Sequence, residues 1–194
     1  MKNNSPMTFG RRLRFVTLVA ALALAGATAF GAREGVAGKA LENFGKVNDN
    51  YYRGSQPDAD GLARLKRLGI KTVIDLRKDS LPEEPGQVRA LGMQYFNIPM
   101  KASKAATPQQ TEYFFKLVND PANWPVYVHC KGGRHRTGAL TAAYRIVHDR
   151  WTADQAYEEM KKYDFNSGFF GGPADQKRFV YAFYAQRTAA AGQK

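Results

Sequence analysis

His129-Cys130-Lys131-Gly132-Gly133-Arg134-His135-Arg136-Thr137-Gly138 connects two predicted elements of different kind. Before it, Pro125 to His129 is a short apolar run that predicts a buried strand. After it, the apolar pattern predicts a helix from Thr137 through Ile146. A thiol and two glycines therefore stand where a strand ends and a helix begins, which is the position that binds anions in α/β proteins.

The backbone of this loop predicts a phosphate-binding cradle. The N–H groups at a helix N-terminus point outward, and the helix dipole favours negative charge there, so the amides of residues 131–136 can bind a phosphate dianion. The same field stabilises a thiolate, and a cysteine so placed can have its pKa lowered to roughly 3.5–7.5. Gly132 and Gly133 allow the tight turn and a close approach to the ligand. Cys130 is thus the candidate nucleophile.

Three further side chains of the loop have predicted roles. The planar guanidinium of Arg136 can bind two phosphate oxygens at once and stabilise charge in the transition state. The Thr137 hydroxyl can donate to the cysteine sulfur and ease its departure. His129 ends the strand, which favours a buried, orienting role over direct catalysis.

Strands and helices alternate outward from this loop. A hairpin is predicted over Phe44 to Arg53, and capping residues at Asp58, Thr107 and Thr152 begin helices. Further strands are predicted from Lys71 to Leu76 and from Met93 to Ile98, with Pro99 as a break, and further helices from Glu83 to Leu91 and from Ala174 to Thr188. This order predicts an α/β fold with a central, mainly parallel sheet of about four or five strands flanked by helices. Ligands of such sheets bind at the carboxyl ends of the strands.

The loop also resembles the His-Cys-x-x-Gly-x-x-Arg-Thr-Gly signature of the protein tyrosine and dual-specificity phosphatase superfamily. Every fixed position of that signature is present. Two more segments, residues 52–57 (Tyr-Arg-Gly-Ser-Gln-Pro) and 71–77 (Lys-Thr-Val-Ile-Asp-Leu-Arg), are similar to small exported bacterial phosphatases of this superfamily. The resemblance spans about Phe44 to Phe165. It implies a dual-specificity phosphatase-like fold, with Cys130 as nucleophile, Arg136 as the phosphate-binding arginine and the amides of residues 131–136 as the cradle.

The chain departs from the superfamily at the general acid. Members usually supply an aspartate from a loop after an earlier strand, but the corresponding residues 99–106, Pro-Met-Lys-Ala-Ser-Lys-Ala-Ala, contain no carboxylate. Candidate acids are found after another strand: Asp75, Asp79, Glu83 and Glu84. A substrate with a good leaving group would need none of them.

The N-terminus predicts export. Lys2, Arg11, Arg12 and Arg14 precede an uncharged segment, Phe15 to Ala32, that contains the small-residue pattern Ala-Thr-Ala at 27–29. We therefore expect residues 1–32 to be a signal peptide or, as the alternative, a membrane anchor, followed by a tether at 33–42 and the phosphatase domain at 43–190. Either reading places the domain in the periplasm or anchored facing it.

The net charge and the cysteine and histidine content limit which ligands and partners the protein is expected to bind. The net charge of +12 favours anionic partners, but no nucleic-acid-binding motif accompanies it. The single cysteine excludes an intramolecular disulfide. We expect no cofactor, and no metal site because His129, Cys130 and His135 crowd one turn without a second ligand cluster.

Three functions remain open at this point. The first is a protein tyrosine or dual-specificity phosphatase acting through a phosphocysteine intermediate. The second is a phosphatase of inositol polyphosphates or phosphoinositides, which the added cations Lys131, Arg134 and His135 favour. The third is a catalytically weak phosphate-binding module, suggested by the absent acid.

Overall fold

The structure, a computed structural model, describes residues 41–166 and 172–192. Five strands and six α-helices occur in these residues. In chain order they are β1 Gly45–Asn48, β2 Tyr51–Ser55, α1 Ala59–Arg67, β3 Thr72–Arg77, α2 Glu84–Ala90, β4 Gln94–Met100, α3 Pro108–Val118, a 3₁₀ turn Pro121–Asn123, β5 Val126–Cys130, α4 Arg136–His148, α5 Ala153–Lys162 and α6 Gly172–Ala191.

The five strands form one sheet in the order β1-β2-β5-β3-β4. β1 is antiparallel to β2, and the remaining neighbours are parallel. The predicted mainly parallel α/β sheet is confirmed. β5 lies at the centre, so its carboxyl end, where Cys130 stands, is flanked by the carboxyl ends of β2 and β3. Register pairs Ser55 with Cys130 across β2 and β5.

Helices cover both faces of the sheet, which is why every residue of β5 is buried. On one face Phe114 of α3 and Leu140 of α4 pack against Val126 and Val128. On the other face α1 and α2 contribute a second cluster with Tyr127 of β5. A core on both sides covers the faces of the sheet and leaves the edge at the strand ends open for a ligand.

The predicted helix caps are present. The Asp58 carboxylate accepts a hydrogen bond from the Gly61 N–H at 2.8 Å. Thr107 and Thr152 each form a full capping box, with Gln110 and Gln155 respectively. These caps satisfy backbone donors that would otherwise lack partners at the first helical turn.

The predicted break at Pro99 is wrong. β4 continues through Pro99 to Met100, and Arg77 pairs with Met100 across β3 and β4. β4 is an edge strand, where a missing N–H leaves no hydrogen bond of the ladder unmade. β4 therefore ends two residues later than the sequence predicts, and Met100 at its end contacts Arg136.

The predicted signal or anchor at 1–32, and most of the predicted tether, lie outside the described residues, so export stays a prediction. Among the helices that the structure describes, none combines the length and apolar character that a bilayer crossing requires.

Candidate active site

A pocket of about 400 Å³ opens at the carboxyl edge of the sheet, above the end of β5. Cys130 is 3% exposed. The pocket is lined by the loop and by the segments that approach it: Glu42, Ala102, Cys130, Lys131, Gly132, Arg134, His135 and Arg136. Six of the residues predicted from the 129–138 motif line this pocket, whereas His129, Gly133 and Thr137 do not.

Three successive carbonyl groups of the loop are hydrogen-bonded to residues that do not line this pocket. Lys131 O accepts from Gln56 N at 3.2 Å, and Gly132 O accepts from the side-chain amide of Asn43 at 2.9 Å. Gly133 O accepts from Nη2 of Arg53 at 2.5 Å. Because three successive carbonyls are held on the outside, the intervening N–H groups are left for the inside. This arrangement makes an anion-binding concavity.

The two glycines of the loop are not equivalent. Gly133 has φ +68°, and a Cβ there would lie 2.4 Å from the Gly54 carbonyl carbon and 2.7 Å from Ser55 N. A Cβ on Gly132 would meet nothing closer than 3.6 Å, and that neighbour is the flexible side chain of Arg134. The close approach of the loop to β2 thus requires glycine at 133 alone.

Arg136 begins α4 and is 5% exposed. Its Nη1 donates to Met100 O at 3.1 Å and lies 3.4 Å from Oδ1 of Asp79. The carbonyl at the end of β4 therefore holds the guanidinium in place. The Asp79 carboxylate contacts the guanidinium from the solvent side, since the Asp79 side chain is 73% exposed. An anion in the pocket would compete with Asp79 for the same cation.

Thr137 and His129 are both fully buried. The Thr137 hydroxyl has no hydrogen-bond partner among the described residues, so the predicted bond to the Cys130 sulfur is not formed here. His129 Nε2 lies 2.9 Å from Oε1 of Glu84, and its Nδ1 lies 3.4 Å from Cys130 O. This position beneath the loop agrees with an orienting role.

Asp75 and Glu84, two of the predicted acids, lie in a buried ionic network outside the pocket. Arg77 Nη2 is 3.0 Å from Oδ2 of Asp75 and 2.6 Å from Oε2 of Glu84. Both carboxylates are held as ion-pair partners, and neither lines the pocket. We therefore withdraw both as proton donors. Asp75, Glu84 and His129 are close enough together to bind a metal, but the Arg77 cation already contacts both carboxylates.

The other two predicted acids differ from each other. Glu83 is exposed just before α2 and does not line the pocket. Asp79 contacts Arg136, and a hydrogen bond from the Asp79 backbone N–H lowers the pKa of its carboxyl. Burial opposes this effect, and Arg136 adds to the lowering. Of the four predicted acids, Asp79 alone contacts Arg136 in the described structure.

The loop offers a ligand less positive charge than the sequence predicts. Lys131 is exposed, and Arg134 lies 3.8 Å from both Glu42 and Asp164. His135 is partly buried against Phe165, and burial lowers its pKa, with the positive charge of Arg134 acting in the same direction. Both effects disfavour the charged form of His135, so the structure supports it less as an added cation than the sequence does.

Three residues of the site were missed by the sequence analysis: Asn43, Arg53 and Gln56, which hold the loop carbonyls. Arg53 and Gln56 belong to the 52–57 segment that carried part of the family resemblance, yet no local pattern assigned them a role. Their contacts join residues about 75–90 positions apart, so no spacing rule along the chain could have found them.

A family model described as "DSP-PTPase phosphatase fused to NAD+ Kinase" matches residues 36–179. The dual specificity protein phosphatase TpbA of Pseudomonas aeruginosa strain UCBPP-PA14 is 31% identical over 135 residues, which cover 70% of this chain and 58% of TpbA. The inositol diphosphatase DSP1 of Oryza sativa subsp. japonica is 32% identical over 126 residues, covering 62% of this chain and 56% of that protein. The chain thus spans somewhat over half the length of these two relatives.

A solved structure is similar over most of its length. The core catalytic domain of the PP-IP phosphatase SIW14 from S. cerevisiae, in complex with citrate, superposes with a TM-score of 0.66 at 22% identity. The superposition covers 80% of this chain and 96% of that domain. At this identity the similarity establishes the fold, which is the one that the sequence predicts.

Proposed function

The chain belongs to the DSP-PTPase phosphatase family, and from that premise we propose that it is a cysteine-dependent phosphatase that hydrolyses phosphate monoesters. The observation that carries the proposal is the orientation of the loop. Three consecutive carbonyls are fixed outward by Gln56, Asn43 and Arg53, so that the amides face a pocket whose lining includes Cys130. A nucleophile and an oxyanion cradle therefore share one small pocket.

The reaction proceeds in two displacements. The Cys130 thiolate attacks phosphorus, the S–P bond forms, and the bond from phosphorus to the ester oxygen breaks as the leaving group takes a proton. Water then attacks phosphorus, the S–P bond breaks, and the thiolate and inorganic phosphate are released. Each step transfers the phosphoryl group between oxygen and sulfur without a change of oxidation state and without a metal ion.

Arg136 provides the charge that both steps need. Its guanidinium is held at the rim of the cradle by Met100 O, and the phosphate replaces Asp79 as its anionic partner. Two parallel N–H donors then bind the equatorial oxygens as negative charge develops on them. A lysine at this position keeps the charge but loses the two-point contact.

Phosphotyrosine proteins, with phosphoserine and phosphothreonine as further substrates, are the first substrate class that we propose. The relative TpbA is named a dual specificity protein phosphatase. The pocket is open at the strand edge and about 400 Å³ in volume, which suits one aryl phosphate inserted end-on. By this proposal the remainder of a phosphoprotein lies outside the pocket.

An inositol polyphosphate or phosphoinositide is the second candidate substrate. Lys131 and the exposed part of Arg134 stand at the pocket beside Arg136, and they can bind additional phosphates of the same substrate. The relative DSP1 is named an inositol diphosphatase. The third candidate function, phosphate binding without turnover, requires Cys130 to be unreactive. Comparing hydrolysis by wild type and by Cys130→Ser tests this.

The test is hydrolysis of an aryl phosphate in the presence of a chelator, by wild type and by Cys130→Ser. We expect wild-type turnover that the chelator leaves unchanged and no turnover by the variant, because a serine hydroxyl in this loop is far less ionised than a thiol. Thermal unfolding of both proteins checks that the fold is retained. Undiminished hydrolysis by Cys130→Ser, or loss of wild-type activity with the chelator, would refute the proposed function.

Arg136→Lys provides a second measurement in the same assay. We expect kcat to fall about 10²- to 10³-fold, the range for loss of one oriented transition-state donor. Arg67→Lys is the matched control, since Arg67 is an exposed residue at the end of α1 and lies outside the pocket. Equal activity of the two lysine variants would contradict the role of Arg136.

A further inference from the structure

Arg53, in the middle of β2, is the largest fully buried side chain among the described residues. Its Nη2 donates to Gly133 O at 2.5 Å, and its guanidinium carbon lies 3.9 Å from the ring centroid of Tyr163. Its Nε and Nη1 have no hydrogen-bond partner in the part of the chain that the structure describes. A buried arginine is thus held by one carbonyl of the catalytic loop and one aromatic face.

No carboxylate within the described residues forms an ion pair with Arg53. The other two buried arginines of the described residues have carboxylate partners: Arg77 contacts Asp75 and Glu84, and Arg136 lies 3.4 Å from Asp79. An isolated buried cation is unfavourable unless a negative charge lies close by. Glu159 of α5 acts on Arg53 without forming an ion pair with it, and Cys130 at the start of the loop is a second group whose negative charge would act on Arg53.

The sheet register places Arg53 next to Cys130. Arg53 pairs with Val128, and two residues further on Ser55 pairs with Cys130. Residues two apart on a strand share a face, so the Arg53 side chain lies on the same face as Val128 and Cys130. Burial lowers the pKa of the Arg53 guanidinium, while the electrostatic effects of Tyr51, Glu159, Tyr163 and Cys130 raise it. Arginine nevertheless stays protonated at all ordinary pH values.

We propose that Arg53 is a positioning residue of the catalytic site, which holds the Gly133 carbonyl outward and stabilises the Cys130 thiolate with its buried charge. The proposal rests on the proposed function, because it assumes that the thiolate is the reactive form of Cys130. Arg53 does not touch the substrate in this arrangement. It acts through the backbone at Gly133 and through the field at the sulfur.

The groups that act on the thiolate come from several elements. Arg53 approaches from β2, Tyr127 and His129 from β5, and Arg136 from the start of α4, with Tyr163 behind Arg53 after α5. The loop itself adds Lys131, Arg134 and His135, and Asp79 and Glu42 lie at its rim. Glu159 of α5 acts on Arg53. Arg53 is the cation among them that is wholly buried, where solvent and salt screen its field least.

The test follows the alkylation of Cys130 by iodoacetamide as a function of pH. The thiolate displaces iodide and forms a C–S bond, and mass spectrometry reports the single cysteine of the chain without ambiguity. For Arg53→Met we expect the pH midpoint of the rate to rise by about one unit, so that alkylation well below the midpoint slows about tenfold. Arg64→Met, which removes an exposed arginine stacked on Phe44, should leave the midpoint unchanged.

Two further variants of Arg53 separate the effect of its charge from that of its hydrogen bond. They also test the proposal if Arg53→Met does not fold. Arg53→Lys keeps the charge and should keep the midpoint near the wild-type value. Arg53→Gln keeps a donor for Gly133 O without charge, and its midpoint should rise. Equal midpoints for the lysine and glutamine variants, or an unchanged midpoint in folded Arg53→Met, would overturn the proposal.

Alkylation does not depend on turnover, so the two proposals fail separately. A shifted midpoint in a protein that hydrolyses no phosphate ester would leave the role of Arg53 intact and refute the proposed function. Normal turnover with equal midpoints in all Arg53 variants would refute the role of Arg53 alone.

Discussion

The contact between Asp79 and Arg136 determines the pKa of the Asp79 carboxyl, and we expect that pKa to change when substrate enters. In the described structure Asp79 Oδ1 lies 3.4 Å from Nη1 of Arg136, and the pKa of the Asp79 carboxyl is lowered by its own backbone N–H and by that arginine. A phosphate dianion that takes Arg136 removes the cation and adds a negative charge nearby, and both changes raise the pKa of Asp79. Asp79 can therefore be a carboxylate in the free site and a proton donor in the complex.

Asp79→Asn tests this at the level of one residue. A general acid must be protonated, so activity falls as pH rises through its pKa, and an amide has no such alkaline limb. We expect the variant to lose the limb and to lose about 10²- to 10⁴-fold in kcat for poor leaving groups, with good ones nearly unaffected. The measurement is kcat/KM for aryl phosphates of graded leaving-group pKa.

Glu83→Gln is the matched control for that series, since Glu83 is an exposed carboxylate just before α2 that does not line the pocket. Its dependence on the leaving group should equal that of wild type. A shallow dependence that persists in Asp79→Asn would show that the proton comes from another group.

At the scale of elements, the catalytic loop depends on its contact with β2. β5 delivers Cys130 and α4 begins with Arg136, but the residues between them are shaped by hydrogen bonds to Arg53 and Gln56 and by the approach of Gly133 to the Gly54–Ser55 peptide. A loop that merely joined its own strand and helix would leave those carbonyls without fixed partners. The neighbouring strand therefore decides which way the amides point.

Gly133→Ala should abolish this geometry, whereas Gly132→Ala in the same loop should preserve it. The added Cβ at 133 would lie 2.4 Å from backbone of β2 at a positive φ, while the one at 132 meets only a flexible side chain at 3.6 Å. We expect kcat/KM for an aryl phosphate to fall by at least about 10²-fold in Gly133→Ala, the loss typical of one misplaced oxyanion donor. Gly132→Ala should stay close to wild type.

Thermal unfolding distinguishes loss of the loop from loss of the fold in both glycine variants. A folded Gly133→Ala protein with wild-type activity would contradict the stated contact between the loop and β2. A Gly132→Ala protein as inactive as Gly133→Ala would show that both positions need glycine.

At the scale of the whole molecule, positive charge gathers on loops that follow the parallel strands. Lys78 follows β3, Lys101 and Lys104 follow β4, and Lys131 follows β5. The loop after β4 is tied to the C-terminal helix, because the buried Gln176 donates to Ala102 O at 3.0 Å. The sheet edge thus carries lysines on three loops, and Lys131 among them lines the pocket at Cys130. This distribution of positive charge favours polyanions.

Salt should therefore affect the two candidate substrate classes differently. An inositol polyphosphate engages several exposed lysines, so its kcat/KM relative to a phosphotyrosine peptide should be highest at low ionic strength and fall as salt screens those contacts. Lys131→Ala should reduce the advantage, and Lys66→Ala, at an exposed position of α1, should not. A preference for the peptide that salt does not change would argue against the polyanion substrate.

Local sequence determined much of the architecture. The apolar run before Cys130, the loop of ten residues and the helix after it are read from periodicity and composition, and so are the caps at Asp58, Thr107 and Thr152. These features involve residues within a few positions of one another. The pattern of Cys130 and Arg136 also predicted the location of the site, because a strand that ends in a sheet and a helix that begins there must meet at the same edge.

The tertiary structure alone decided which of the four carboxylates contacts Arg136 and why Pro99 does not end β4. It also decided that burial lowers the pKa of His135 and that Arg53 contacts the loop. Each outcome depends on what packs against a residue from elsewhere in the chain. Asp75 and Glu84 are sequestered by Arg77, and Arg53 reaches Gly133 across 80 residues. Charge, burial and hydrogen bonding act through distance in space, and that distance is set only when β2, β3 and β5 pair.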